Sequence, residues 1–125
     1  MAVNYANALK DTRMTAVLNA IDAQAGNGTI EIGTAAMATV LVSIALQKPS
    51  FTEASQAITM AGAPKSGVAS ASGTAAAARI KDGGGTAQIT GLTVGTSGSD
   101  INLNSTSITN GQTVTLNSAV ITHAP

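Results

Sequence analysis

Apolar residues recur with a helical period near the start of the chain. Leu9, Met14, Val17, Leu18 and Ile21 form one broad stripe, and Asp11, Thr15, Asn19 and Asp22 fall opposite it. This pattern predicts a helix over residues 4–25, started by Asn4 or Asn7 as a side-chain cap. Gly26-Asn27-Gly28 stops it, because these residues tolerate the left-handed conformation found at helix ends. Lys10 and Arg13 fall inside the apolar arc, where their stems either snorkel past the core edge or reach a neighbour's carboxylate.

After Gly28 the period changes to two. Short strands are predicted at 29–33 (TIEIG), 39–47 (TVLVSIALQ), 56–62 (QAITMAG), 101–104 (INLN) and 112–124 (QTVTLNSAVITHA). The 39–47 segment is the most apolar and is expected at the centre of a sheet. It stops at Lys48-Pro49 because proline cannot donate to a ladder. Phe51 is expected to plug the core. In the last segment Val114, Leu116 and Val120 share one parity while Ala119 and Ile121 take the other, a conflict that a bulge near Asn117 resolves.

The stretch SGTAAAARIKDGGGTAQITG (72–91) holds three consecutive glycines. No Lys-Ser/Thr follows them and no helical period comes after, so neither a phosphate-binding loop nor a dinucleotide fingerprint fits. A hairpin does. With Asp82–Gly85 as a four-residue loop, Lys81 faces Thr86, Ile80 faces Ala87 and Ala78 faces Ile89. One face is then apolar or small and the other mostly polar. Ala75–Ala78 have low strand propensity and call for close cover, for which the alanine-rich helix is the natural candidate.

Seven or eight short strands between Gly, Pro and Asn turns predict an all-β sandwich or barrel. The leading helix either packs on an open face or extends as an arm. The division is 1–26 as helix or arm and 27–125 as β-sandwich, one structural domain overall.

Composition narrows the function classes. The 125 residues carry six basic and six acidic side chains, so no net field favours nucleic acid or an anionic membrane. Only 10% of residues are charged, against roughly 25% in ordinary soluble domains, and such a surface is poorly protected against association. There is no cysteine, hence no disulfide or thiolate chemistry. One Tyr and one Phe give no stacking platform for bases or sugar rings. The first residues do not read as a secretory signal, and the longest apolar stretch, ATVLVSIAL (38–46), is too short to span a bilayer.

Candidate chemistry is sparse. His123 is the lone histidine and without cysteine builds no zinc site; a terminal exposed position is expected for it. GTSGSD (95–100) leads from strand to strand and makes no nucleophile elbow. Asp82 and Asp100 read as turn residues that bond their own backbone, and SGSDINLN lacks the spaced acids of a calcium loop. Glu31 and Glu53 are scattered, with no sequence sign that any two of these acids converge. Tyr5 is expected to staple the arm. The reading is therefore non-enzymatic, with no catalytic, cofactor-binding or metal residues.

The helix segment NALKDTRMTAVLNAIDAQAGNGTIEIGT, the hairpin SGTAAAARIKDGGGTAQITG and the run VGTSGSDINLNSTSITNGQTVTLNSAVIT together resemble small virion proteins encoded by tailed bacteriophages. Nearly the whole chain takes part, although GTAAMATVLVSIAL is compact where related sequences often carry a longer polar segment. The resemblance implies a jelly-roll-like antiparallel β-sandwich that decorates or cements the capsid shell. Its partners would be the major capsid protein and copies of itself, as dimer or trimer, with no nucleic acid or membrane partner. Assembly would take place in the host bacterial cytoplasm. Lys10, Arg13, Lys65 and Arg79 are the expected charged contacts. A tail, collar or baseplate component, or a small ligand-binding β module, is the alternative.

Overall fold

The computed structural model of the protein describes residues 6–122, so the expectations placed on Asn4, Tyr5 and His123 fall outside it. Helix α1 spans Asn7–Asp22, within the predicted 4–25. Ala6 occupies the N-cap with an extended backbone and no side chain bonds the first turn. Asn7, offered as a cap, is already helical. Met14 and Ile21 are buried and Val17 and Leu18 pack partly against the same core. Leu9 stays 46% exposed, so the stripe engages the core only from Met14 onward. The helix packs on its own strands and shares one core with them.

Eleven strands follow among the described residues: β1 (Thr29–Gly33), β2 (Val40–Ala45), β3 (Phe51–Ala54), β4 (Ala57–Met60), β5 (Lys65–Val68), β6 (Gly73–Thr74), β7 (Ala77–Lys81), β8 (Ala87–Gly95), β9 (Ile101–Leu103), β10 (Ser107–Ile108) and β11 (Thr113–Thr122). The main ladder runs β2-β1-β7-β8-β9-β11-β4-β3, with β5 also on β11, while β6 and β10 form a separate pair. The protein is thus mainly β with one helix. The sheet is mixed rather than antiparallel throughout, because β8 and β9 run parallel at Val94↔Ile101.

The sheet curls until β5 lies against β2. A β-carbon on Gly67 would stand 3.0 Å from the Ser43 carbonyl oxygen, and the Ser70 N–H donates to Leu41 O at 2.8 Å. This corrects the expected place of the most apolar strand, since β2 ends the ladder order and is not central. Its Val42 and Ile44 are nonetheless buried because β5 covers them by packing, and Leu41 is buried with Gly73 of β6 against it.

The triple-glycine segment is a hairpin turn, with a register different from the simplest one. The Asp82 N–H donates to Thr86 O at 2.9 Å, leaving Gly83–Gly85 as a three-residue loop. Pairing then creeps along the strands: Lys81 faces Ala87, Ile80 faces Ile89, and Ala78 faces Leu92. The irregular stretch of β8 contains Gly91 at φ +73°, a conformation open to glycine, beyond which Leu92 turns inward. The outcome is that Leu92 is buried where Ala76 and Ala87 are exposed. Gly83 has a second role. It lies so close to Gly26 that a β-carbon on Gly26 would stand 3.1 Å from Gly83 O, and one on Gly83 would strike the Gly26 carbonyl. The loop after α1 and the β7–β8 turn are therefore pressed backbone to backbone.

In β11 the register shifts between Leu116 and Ser118, at the position where the parity conflict called for a bulge. Val114 and Leu116 are buried before it and Ala119 after it. Cover over Ala75–Ala78 differs from expectation. The helix packs chiefly on β3 and β4 and less on β8, while a 3-10 turn at Ala35–Met37 lies against β7.

Candidate functional site

The polar row of α1 was expected to face away from the core, and the structure gives it work. Asp11 and Asp22 are eleven residues apart, about three turns, so they point the same way about 16 Å apart along the axis. Strand β3 runs beside that row in the opposite direction. At one end the Ser50 N–H donates to the Asp22 carboxylate at 3.0 Å. At the other the Gln56 N–H and its side-chain Nε2 donate to Asp11 Oδ1 at 2.9 and 3.2 Å. Six residues of extended chain cover roughly 20 Å, which matches the helix span with some slack.

Two further features complete this seam. Lys48 Nζ donates to the Gln24 carbonyl and, at 3.4 Å, to Ala25 O, placing a cation where carbonyls are left over beyond the helix end. The β3–β4 hairpin closes through Ser55-Gln56, both at positive φ (53° and 64°), the two-residue turn whose twist suits a hairpin. Neither residue is glycine, so the turn is strained. Asp11 binds the backbone and side-chain amides of Gln56 and so holds this turn in place. Phe51, at the start of β3, is fully buried as expected.

Between α1 and β3 lies an open groove of about 420 Å³ lined by Asp11, Thr12, Thr15, Ala16, Asn19 and Glu53. Glu53 and Asp11 are the carboxyl groups that meet, a pair absent from the sequence expectation. Burial in the first place, then the hydrogen bond and negative charge of Asp11, push the Glu53 carboxyl above its ordinary value, against the opposing pull of the Gln56 N–H. Glu53 Oε2 is buried and has no hydrogen-bond partner.

The other acids are spent inside the fold. Glu31 accepts from Arg79 Nε at 2.6 Å and faces Lys81 Nζ at 3.2 Å. Burial alone would raise its carboxyl, but the two cations together hold it below its ordinary value. Asp82 is 6% exposed and accepts from Gly84 N and Thr86 N at 2.9 and 3.0 Å and from Gln88 Nε2 at 2.9 Å. The Thr86 N–H, then the Gln88 amide, hold it below its ordinary value despite burial. Asp100 accepts from Thr93 N at 3.1 Å and returns its own N–H to Thr93 Oγ1 at 3.0 Å. Asp82 thus behaves as the turn residue read from sequence, whereas Asp100 bonds Thr93 on strand β8 rather than the backbone of its own turn.

The four expected contact residues do not converge on one element. Lys10 and Arg13 stand on α1, Lys65 opens β5 and folds back over Gly62 beside Gln47, and Arg79 sits on β7 with its charge engaged by Glu31. Among the described residues no group of three or more His, Cys, Asp or Glu could hold a metal ion, and no helix is long and apolar enough to cross a membrane. The eleven-residue Asp11–Asp22 spacing was the available sequence signal for the seam; it needed knowledge that a strand, not solvent, faces that side.

Set against family models, curated proteins and solved structures, the chain matches none.

Proposed function

We propose that the protein is a structural subunit of a tailed bacteriophage virion, binding the capsid lattice as a decoration or cement protein without catalysing a reaction. One observation carries this reading. In the region from Gly83 onward Asp100 is the only charged residue, and its carboxylate is occupied by Thr93. The exposed positions there are such residues as Thr90, Thr96, Ser97, Asn104, Thr113 and Asn117. A surface of small neutral side chains carries little electrostatic cost when covered and makes flat, close contacts. On a lattice such contacts repeat many times and avidity multiplies modest affinities.

On this reading the curled sheet is a jelly-roll-like sandwich, with β2, β1, β7 and β8 in one layer and β11, β4 and β3 in the other. The neutral region from Gly83 onward supplies contact area to the major capsid protein or to sister copies. Lys10, Arg13 and Lys65 supply charged contacts outside it. The test is to separate virions, tailless heads and detached tails on a gradient and quantify the polypeptide against the major capsid protein by mass spectrometry. Many copies on heads are expected. A few copies confined to tails would point instead to a tail, collar or baseplate role, and absence from all particles would overturn the reading.

A further inference from the structure

The turn that joins β1 to β2 is held in a conformation its residues disfavour. Ala36 and Met37 lie at φ 58° and 56°, and neither is glycine. Backbone bonds close the turn: the Met37 N–H donates to Thr34 O at 2.8 Å, Ala38 N–H to Ala35 O at 3.3 Å and Thr34 N–H to Thr39 O at 3.0 Å. The Thr39 N–H donates to Thr34 Oγ1 at 3.0 Å. The Met37 side chain folds back onto Gly33, where the β1–β2 register shifts. A β-carbon on Gly33 would stand 3.1 Å from Met37 Sδ and Cε and 2.5 Å from Thr39 O, so the thioether occupies the notch that a glycine leaves. Met14 and Met60 are 3% exposed in the core, whereas Met37 is half-buried.

We infer that Met37 is an oxidation site: a peroxide converts its thioether to the sulfoxide, and the β1–β2 turn then opens. Sδ takes one oxygen atom as the O–O bond breaks; the sulfur gives up an electron pair and hydrogen peroxide is reduced to water. The sulfoxide oxygen accepts hydrogen bonds and donates none. In the notch it meets the Thr39 carbonyl, another acceptor, and the N–H groups of Thr34, Met37, Ala38 and Thr39 are already spent inside the turn. The other two amides, at Ala35 and Ala36, belong to exposed residues. A polar oxygen without a donor is costly to keep covered, so the oxidised side chain leaves the notch. With it goes the packing that holds two left-handed residues in place, and the turn loses its preference for that shape. Leucine at this position fills the notch at similar volume without an oxidisable atom. The site does not depend on what the protein binds.

The experiment treats the full chain with hydrogen peroxide and follows each methionine by peptide mass spectrometry. Met37 sulfoxide is expected to form about ten-fold or more faster than the sulfoxides of Met14 and Met60, whose oxidation waits on local opening of the core. In the oxidised chain, amide hydrogen exchange should show protection of the Thr34 and Thr39 N–H groups reduced by roughly three-fold or more, the scale of a lost hydrogen bond. Methionine sulfoxide reductase should restore that protection. Met37→Leu should keep it through the same peroxide treatment, which separates Met37 from oxidation elsewhere. Oxidation of Met14 or Met60 as fast as Met37 would overturn the site. Unchanged protection in chain oxidised at Met37, or loss of protection in peroxide-treated Met37→Leu, would overturn the opening of the turn.

Discussion

The corner formed by α1 and residues 48–56 contrasts with the last third of the chain, after Asp82. In the corner, charge is used inward: Lys48 tops the helix end, Asp22 and Asp11 tie down β3, and Glu53 meets Asp11. After Asp82 the strands are held by ladders, Ser/Asn/Thr side chains and one occupied aspartate. Asn102 Nδ2 bonds Ser118 Oγ at 3.0 Å and the Thr115 N–H bonds Asn104 Oδ1 at 3.1 Å. The difference teaches that scarcity of charge is not uniform dilution. Half of the charged groups sit where the helix is fastened to a strand, most of the others cluster on β1, β7 and the Asp82 turn, and the surface from Gly83 onward is left neutral apart from Asp100.

The strongest way to break this contrast is through the core beneath both regions. Phe51→Ala in the corner should cost about 3–5 kcal/mol and Leu103→Ala in the neutral region about 2–5 kcal/mol, both being fully buried. Urea unfolding should show one transition for each variant; two separate transitions would show that the two regions do not share a core. Next in size, Gly83→Ala should destabilise by about 1–3 kcal/mol, because its β-carbon meets the Gly26 carbonyl across the seam of the two regions. A neutral result in thermal unfolding would mean that this backbone contact is slack. Asp22→Ala should cost about 1–3 kcal/mol by stripping the buried Ser50 N–H of its acceptor.

The pH response sharpens the same comparison. Asp82 and Glu31 bind their protons less readily in the folded chain. Their contribution is present above the ordinary carboxylate range and is lost as pH falls through their lowered values. Glu53 runs the other way: its contribution is present at low pH and is lost as pH rises through its raised value. Thermal unfolding against pH should therefore show a shallower acid limb in Asp82→Asn and a higher melting temperature near neutrality in Glu53→Gln. Unfolding profiles parallel to the parent in both variants would contradict these assignments.

Much of the architecture was legible in the chain. The stripe from Met14 to Ile21, the glycine hairpin and the Asn117 bulge all follow from periodicity, because each places an apolar residue on a face that must be buried. What stayed hidden depended on partners distant in sequence. The hairpin register moved because Leu92 is a better core residue than Ala87, and Gly91 allows the shift. Strand β3 and its Ser55-Gln56 turn carry no glycine signal, since Asp11 of the helix holds the turn. The parallel β8–β9 pairing and the cover of β2 by β5 arise from the curl of the sheet, which no local pattern records. The Asp11–Glu53 pair was equally invisible, its members being on elements 42 positions apart in the chain.

The central claim is that the neutral region after Asp82 is the surface that meets the lattice, and titration of purified protein onto heads lacking it tests this directly. Thr90→Lys combined with Asn117→Lys places charge on exposed positions of β8 and β11 and should leave stability within about 0.5 kcal/mol. The account expects this variant to lose head binding, whereas Lys10→Gln combined with Lys65→Gln should bind with only a changed salt dependence. Full binding by the lysine variant, together with loss of binding on removing Lys10 and Lys65, would contradict it.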